Sequence, residues 1–259
     1  MYIYFTFITF ILGLVLASFL NALLYRIDNG YKYPDIFIKG SHCEKCGKLL
    51  KTYELIPVLS YFIFKGKCSV CGYRVPLYYP VSEFFLGIGL ASIYYYSLSP
   101  ILYFVLISLF IFSYFDRIYK GVPRILVNVF LGILGMYFVM VTLLTDTVPK
   151  NAILISLGII LFIFLLTKIL KKPFGFGDIL VLVGLGLVLN TPLYILYIYI
   201  FIFFSTGYAL LRILLKKATL KSAIPLLPFI YISFSILLLI GEYLIENWKI
   251  LDIFIHLNT

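Results

Sequence analysis

Long charge-free apolar stretches, each bounded by basic residues, constrain this chain more than any other feature of its sequence. The first, Tyr2 to Leu24, holds 23 uncharged residues, which at 1.5 Å per residue covers a hydrocarbon core of roughly 30 Å. Inside a bilayer the backbone has no water to bond, so each stretch is expected to be a helix that satisfies its own amides. With 63% of the 259 residues apolar and 12% charged, a soluble core does not account for the composition. The chain reads as an all-α polytopic membrane protein. Tyr2–Leu24 lacks a basic leader region and a small-residue cleavage site, so it is expected to remain as an uncleaved first helix.

The net charge of +10 raises the question of a nucleic-acid partner, and the placement of the charges answers it. Of the 21 Lys and Arg, nine lie in residues 26 to 78, three in 117 to 124, three in 168 to 172 and four in 212 to 221. Only Lys150 and Lys249 fall elsewhere. These clusters are loops on one side of a membrane, and the positive-inside rule makes that side the cytoplasm. No nucleic-acid partner is expected; the lipid bilayer is.

From these clusters the spans follow in order. Helix 1 runs inward and ends near Tyr25-Arg26; helix 2 runs from Tyr79-Pro80 to about Ser97; helix 3, Ile101 to Phe115, returns to the cytoplasm. Helix 4, Ile125 to Leu144, goes out and helix 5, Ala152 to Leu170, comes in. The 33 apolar residues from Ile179 to Leu211 have basic residues at both ends, so an even number of crossings is required. They read as a hairpin turning at Asn190-Thr191-Pro192 with a short first arm. A last helix runs outward from about Pro225 to Ile240, and the tail with Trp248 and His256 lies outside. About eight spans place both termini on the outer side. The organisation is residues 1–25 as first helix, 26–78 as a cytoplasmic polar module and 79–259 as the remaining membrane domain.

The module carries all four cysteines, as Cys43-Glu44-Lys45-Cys46 and Cys68-Ser69-Val70-Cys71, with 21 residues between the pairs. Two CxxC turns at this spacing suit a four-cysteine zinc ribbon, and Gly47 and Gly72 ease the return of the chain after each turn. Disulfides are the alternative, which a reducing cytoplasm disfavours. A segment this small has little apolar surface of its own, so a metal would act as its staple. His42, beside Cys43, would be a spare ligand.

Two acids stand at the edges of apolar runs. Asp116 follows Ile101–Phe115 and precedes Arg117 and Lys120; Asp178 closes Gly175-Phe176-Gly177-Asp178, ahead of the run that begins at Ile179. Charged groups at such depth are costly and mark functional sites more often than not. Gly175 and Gly177 leave room beside Asp178 for another backbone or a tight turn. The plainer reading of each acid is a helix-end carboxylate neutralised by Arg117, Lys120 or Lys171. Glu83 either favours a helix N-terminus or lines a site. Asn21 either lines a site or hydrogen-bonds a neighbouring helix. Asp146 and Lys150 read as solvated. No GxGxxG, P-loop, HExxH or Ser-His-Asp pattern occurs.

Taken together these residues resemble the type IV prepilin leader peptidase family over most of the chain. Ala17-Ser18-Phe19-Leu20-Asn21 with Tyr25-Arg26 is similar to that family's first helix. Ser41-His42-Cys43 to Cys46-Gly47, Ile56-Pro57-Val58-Leu59-Ser60-Tyr61, Gly66-Lys67-Cys68 to Cys71-Gly72 and Tyr79-Pro80-Val81-Ser82-Glu83 are similar to its zinc module and second helix. Asp116 with Pro123 resembles the first catalytic motif, and Gly175 to Asp178 the GxGD signature shared with presenilin-type intramembrane proteases.

The resemblance implies an aspartyl endopeptidase of the inner membrane. It would cut the short basic leader from prepilin or pseudopilin precursors at the cytoplasmic face, with Asp116 and Asp178 as acid and base and zinc held by the four cysteines. It also implies, for some members, S-adenosylmethionine-dependent methylation of the new N-terminus. Leu180 stands where the family usually has Lys, and Leu227 in Pro225-Leu226-Leu227-Pro228 where it commonly has Gly. The rival from another class is a transporter or membrane scaffold whose zinc loop docks a partner. Oligomeric state has no signal in the sequence.

Overall fold

A computed structural model describes residues 2–145, 158, 175–216 and 225–247. Helix 5 of the sequence reading apart from Gly158, the Lys168–Lys172 cluster, Asp146, Lys150, Trp248 and His256 lie outside the described residues. The described residues are helical, and their only strand-like pairings are two isolated antiparallel bridges, His42 with Leu49 and Lys67 with Arg74. They fall into two compact units, residues 1–98 and 99–259.

In the first unit, α1 (Tyr2–Asp28) packs along α4 (Tyr78–Tyr95). The close approach has a simple cause: a Cβ on Gly13 would stand 2.7 Å from the Cα of Gly87, and one on Gly87 would stand 2.9 Å from Leu14. Small residues at a crossing let two backbones come together where lipid supplies no hydrophobic drive. Ala17, Leu86 and Ile93 are fully buried around it. Toward the C-terminal end of α1 the contact turns polar, and Asn21 Nδ2 donates to Ser82 Oγ at 3.1 Å.

Between these helices run α2 (Asp35–Ile38), a 3-10 turn (Thr52–Leu55) and α3 (Leu59–Ile63). Just before α3 the backbone makes a strained γ-turn: Val58 has φ +62 and ψ −54, and the Leu59 amide donates to Pro57 O at 2.6 Å. A β-branched residue avoids positive φ, so the turn needs outside support. Glu83 supplies it, accepting the Val58 amide at 2.8 Å.

The second unit contains α5 (Ile101–Tyr119), α6 (Arg124–Thr145), α7 (Phe176–Gly186), α8 (Thr191–Leu214) and α9 (Leu227–Asn247). Helix α9 packs against α5 and α8, and α6 against α7. Phe110 of α5 meets Tyr231 of α9 edge-on at 5.7 Å. Gly184 of α7 lies under Phe130 and Leu134 of α6, where a Cβ would come within 2.9 Å of the Phe130 ring. A turn at Asn190 separates α7 from α8: Asn190 caps α8, its Oδ1 accepting the Leu193 amide at 3.1 Å, with Pro192 in the first turn. That is the ordinary chemistry of a helix start.

Among the described residues, four helices are long and apolar enough to cross a membrane: Tyr2–Asp28, Ile101–Tyr119, Arg124–Leu144 and Thr191–Leu214. Phe176–Gly186 and Leu227–Gly241 are apolar but shorter. Helix boundaries differ from the sequence reading by a few residues. The one that matters is α5, which continues past Phe115 to Tyr119, so Asp116 sits inside the last helical turn and not beyond it. Only the left-handed Lys120 ends the helix, its amide returning to Asp116 O at 2.9 Å.

Candidate functional site

Asp116 and Asp178 both belong to the second unit. Asp116 is 4% exposed, on a helix whose neighbours Phe112 and Ser113 are also buried. Its Oδ2 accepts the amide of Leu227 at 3.1 Å, and the Leu226 amide bonds the same side chain. Leu227 is the first residue of α9. The carboxylate of one helix therefore caps the N-terminus of another, where free amides and the helix dipole favour negative charge. This placement relieves an acid that its own helix leaves at the unfavourable C-terminal end.

Asp178 lies in the first turn of α7, three residues after Gly175, which occupies the N-cap position. Its amide and that of Ile179 return to Gly175 O at 3.0 and 3.3 Å. The side chain folds back over Gly175, so that a Cβ there would lie 2.7 Å from Asp178 Oδ2. Gly177, by contrast, has no described atom within 4 Å of where its Cβ would stand. Asp178 is half-buried and near enough to Asp116 for the two charges to interact. Among the described residues neither acid forms an ion pair. Arg117 stands instead over the Tyr114 ring, 5.6 Å from its centroid. Two carboxylates that sense each other in an apolar setting cannot both ionise cheaply, and such a pair can hold one proton between them.

The four cysteines come together in the first unit. Each CxxC forms the same turn: the Cys43 amide bonds Lys48 O at 2.9 Å and the Gly47 amide bonds Cys43 O at 2.9 Å. In the second copy the Cys68 amide bonds Tyr73 O at 2.8 Å and the Gly72 amide bonds Cys68 O at 3.1 Å. Gly47 and Gly72 close these turns at φ +69 and +66, a conformation only glycine takes without strain. The four sulfurs lie within 4.8 Å of one another, Cys43 to Cys71 at 3.8 Å and Cys46 to Cys68 at 3.9 Å. A tetrahedral ion with metal–sulfur bonds of about 2.3 Å needs corners about 3.8 Å apart. The donor set fits a metal such as zinc.

One carboxylate ties the two turns together. Glu54 receives Lys48 Nζ at 2.6 and 2.9 Å, the Ser69 hydroxyl at 2.7 Å and the Lys51 amide at 2.9 Å. Lys48 follows the first cysteine pair and Ser69 sits within the second. The Lys48 ammonium, with the Lys51 amide and Ser69 after it, holds the Glu54 carboxyl down at about 2 against an ordinary 4.5.

Glu83 and Asn21 lie in the first unit, on α4 and α1. Glu83 is buried and bonds the Val58 amide and the Ser18 hydroxyl. Asn21 bonds Ser82. Sequence reasoning missed Leu226 and Leu227, whose contribution is made by backbone amides and carries no side-chain signal. It also missed Glu54, whose role appears only when the two cysteine turns face each other.

The Bacterial Peptidase A24 N-terminal domain family matches residues 11–97, the stretch that carries Asn21, the four cysteines and Glu83. Three curated relatives, each named prepilin leader peptidase/N-methyltransferase, are similar to the chain. The protein from Pseudomonas putida is 28% identical over 71% of this chain and 72% of its own length. That from Bacillus subtilis (strain 168) is 26% identical over 92% of this chain and 96% of its own. That from Pseudomonas aeruginosa is 24% identical over 93% and 92%. No solved structure matches the chain.

Proposed function

We propose, from the matched N-terminal domain and the similarity to the three relatives, that the chain is a prepilin leader peptidase, a membrane aspartyl endopeptidase whose acid–base pair is Asp116 and Asp178. It removes the short basic leader from prepilin-like precursors. The observation that carries this reading is the electrostatic proximity, in one unit, of two acids that form no ion pair among the described residues, each held at the end of an apolar helix by its own local device. One carboxylate takes a proton from water as the water attacks the scissile carbonyl; the other gives a proton to the leaving amide nitrogen. The pair acts as one titrating unit, so the two roles belong to the dyad. Gly175 keeps the space into which Asp178 folds, and the amides of Leu226 and Leu227 fix Asp116.

The rest of the proposal concerns setting. The chain crosses the inner membrane about eight times with both termini outside, and the basic loops, the cysteine module and both acids at the cytoplasmic face. Cys43, Cys46, Cys68 and Cys71 hold one structural zinc, which fastens a module too small to fold on its own apolar surface. The names of the relatives support methyl transfer from S-adenosylmethionine to the new N-terminus as a second activity. Incubation of the protein in membranes with prepilin-like substrates should release the leader. Absence of release from several such substrates would contradict the reading.

A further inference from the structure

The short helix α3 of the first unit has two unlike sides. Ser60, Tyr61 and, just past its end, Phe64 line the cavity between α1, α4 and the cysteine module. Leu59, Phe62 and Ile63 turn the other way and are 59%, 68% and 64% exposed. Spacings of three and four residues set these three large apolar side chains next to one another on a helix. Lys65 and Lys67 follow at once, both exposed and without an ion pair among the described residues.

The level of this face relative to the membrane follows from α1. Its uncharged run ends at Leu24, and Arg26 is the first charge beyond it. Helices α1 and α4 meet with Gly13 against Gly87 and Asn21 against Ser82, so they run antiparallel. Glu83, next to Ser82, accepts the Val58 amide at 2.8 Å, which ties the start of α3 to the level of Asn21. Asn21 lies five residues before Arg26, about 7.5 Å back along a helix that rises 1.5 Å per residue. The loop is therefore drawn back along the apolar part of α1. Backbone amides are provided for there, as scarce water requires: Val58 bonds Glu83, Leu59 bonds Pro57 O at 2.6 Å and Ser60 bonds Ile56 O at 3.0 Å.

We infer that Leu59, Phe62 and Ile63 form a lipid-contacting face, seated in an anionic leaflet on the side of the basic loops, with Lys65 and Lys67 among its headgroups. The apolar face of an interfacial helix sinks about 5–10 Å into the boundary between headgroups and acyl chains, which is the depth the tether to Glu83 sets. In water three such side chains together would be an open apolar patch; lipid covers them without a protein partner. The two lysines select the charge of the surface, since basic residues beside a membrane are drawn to anionic headgroups. The face gives the cysteine module a third hold on the membrane besides the two helices it connects. It depends on α1 being a membrane span and on no part of the peptidase reading, so failure of either leaves the other standing.

The test uses the full chain reconstituted in lipid vesicles. Phe62→Trp is combined with Trp248→Phe, which removes the chain's single tryptophan, so the new indole reports alone. In vesicles containing phosphatidylglycerol its emission should shift to the blue. Lipids brominated high on the acyl chain should quench it severalfold more than lipids brominated near the chain end, and acrylamide in the water should quench it severalfold less than free tryptophan. Ile63→Trp in the same background should behave alike, and it replaces Phe62→Trp if that variant does not insert. Lys65→Gln with Lys67→Gln should lower the lipid quenching to the level seen in vesicles of phosphatidylcholine alone.

Full quenching by acrylamide with none by brominated lipid would overturn the inference. So would blue-shifted emission that neither quencher reaches, which would put a second copy or another stretch of protein over the face. Equal lipid quenching with and without the two lysines would overturn the anionic leaflet as the partner.

Discussion

Replacing Gly175 by alanine isolates what the glycines of Gly175-Phe176-Gly177-Asp178 do. The new Cβ would stand 2.7 Å from Asp178 Oδ2 and 3.3 Å from its Cγ, whereas ordinary contact begins near 3.4 Å. The backbone at Gly175, φ −58 and ψ 122, suits alanine, so the clash is with the carboxylate alone. To relieve it, Oδ2 must retreat by about 0.7 Å, the shortfall from that contact distance. Misplacing a catalytic group by about 1 Å costs on the order of 10²-fold. Gly175→Ala should therefore cut leader cleavage about 100-fold with the protein still inserted and its metal content unchanged. Gly177→Ala, whose Cβ meets no described atom, should cost a few-fold at most. Initial rates of prepilin cleavage in membranes, followed by the gel shift of the shortened product, compare the two. Greater damage from Gly177→Ala would refute the steric reasoning.

Other consequences follow from the same geometry. Metal analysis should find about one zinc per chain, and a disulfide-linked, metal-free module would contradict the assignment. Glu54→Gln should release that metal to a chelator faster, because the carboxylate joins the two cysteine turns through Lys48 and Ser69. Its folded value near 2 lies below the ordinary 4.5. The stabilisation is thus fully present above about pH 4.5 and is lost as pH falls toward 2. Hydrogen exchange in the module should separate wild type from Glu54→Gln at neutral pH and converge across that window; a constant difference would refute the role. Asp116→Leu should lower thermal stability by about 1–3 kcal/mol by orphaning the Leu227 amide. Asp116→Asn, which keeps an acceptor oxygen, should not, and equal losses in both would contradict the capping role.

Much of this was legible in the chain because the relevant signals are local. An uncharged run of bilayer length, a CxxC followed by glycine and Asn190 ahead of Pro192 each specify their structure within a few residues. The start of α9 was misjudged by two residues because its signal is an amide bonded to Asp116, 111 positions earlier in the chain. The extension of α5 through Asp116 was hidden for a related reason, since the apolar pattern stops at Phe115 while the helix is ended by Lys120 turning left-handed. Glu83 showed only as an acid in a helix. Its support of the γ-turn at Val58 depends on a loop 25 residues away in sequence. Pattern reading finds elements and turns, and it does not find the long-range bonds by which one element fixes another.

The central claim is that Asp116 and Asp178 together perform the cleavage, and asparagine in place of each tests it most directly. The change keeps size and an acceptor oxygen and removes the titratable group. Wild-type membranes should release the leader from a prepilin-like substrate, while Asp116→Asn and Asp178→Asn, inserted at equal levels, should release none. Cleavage surviving in either variant would remove that residue from the pair and contradict the account.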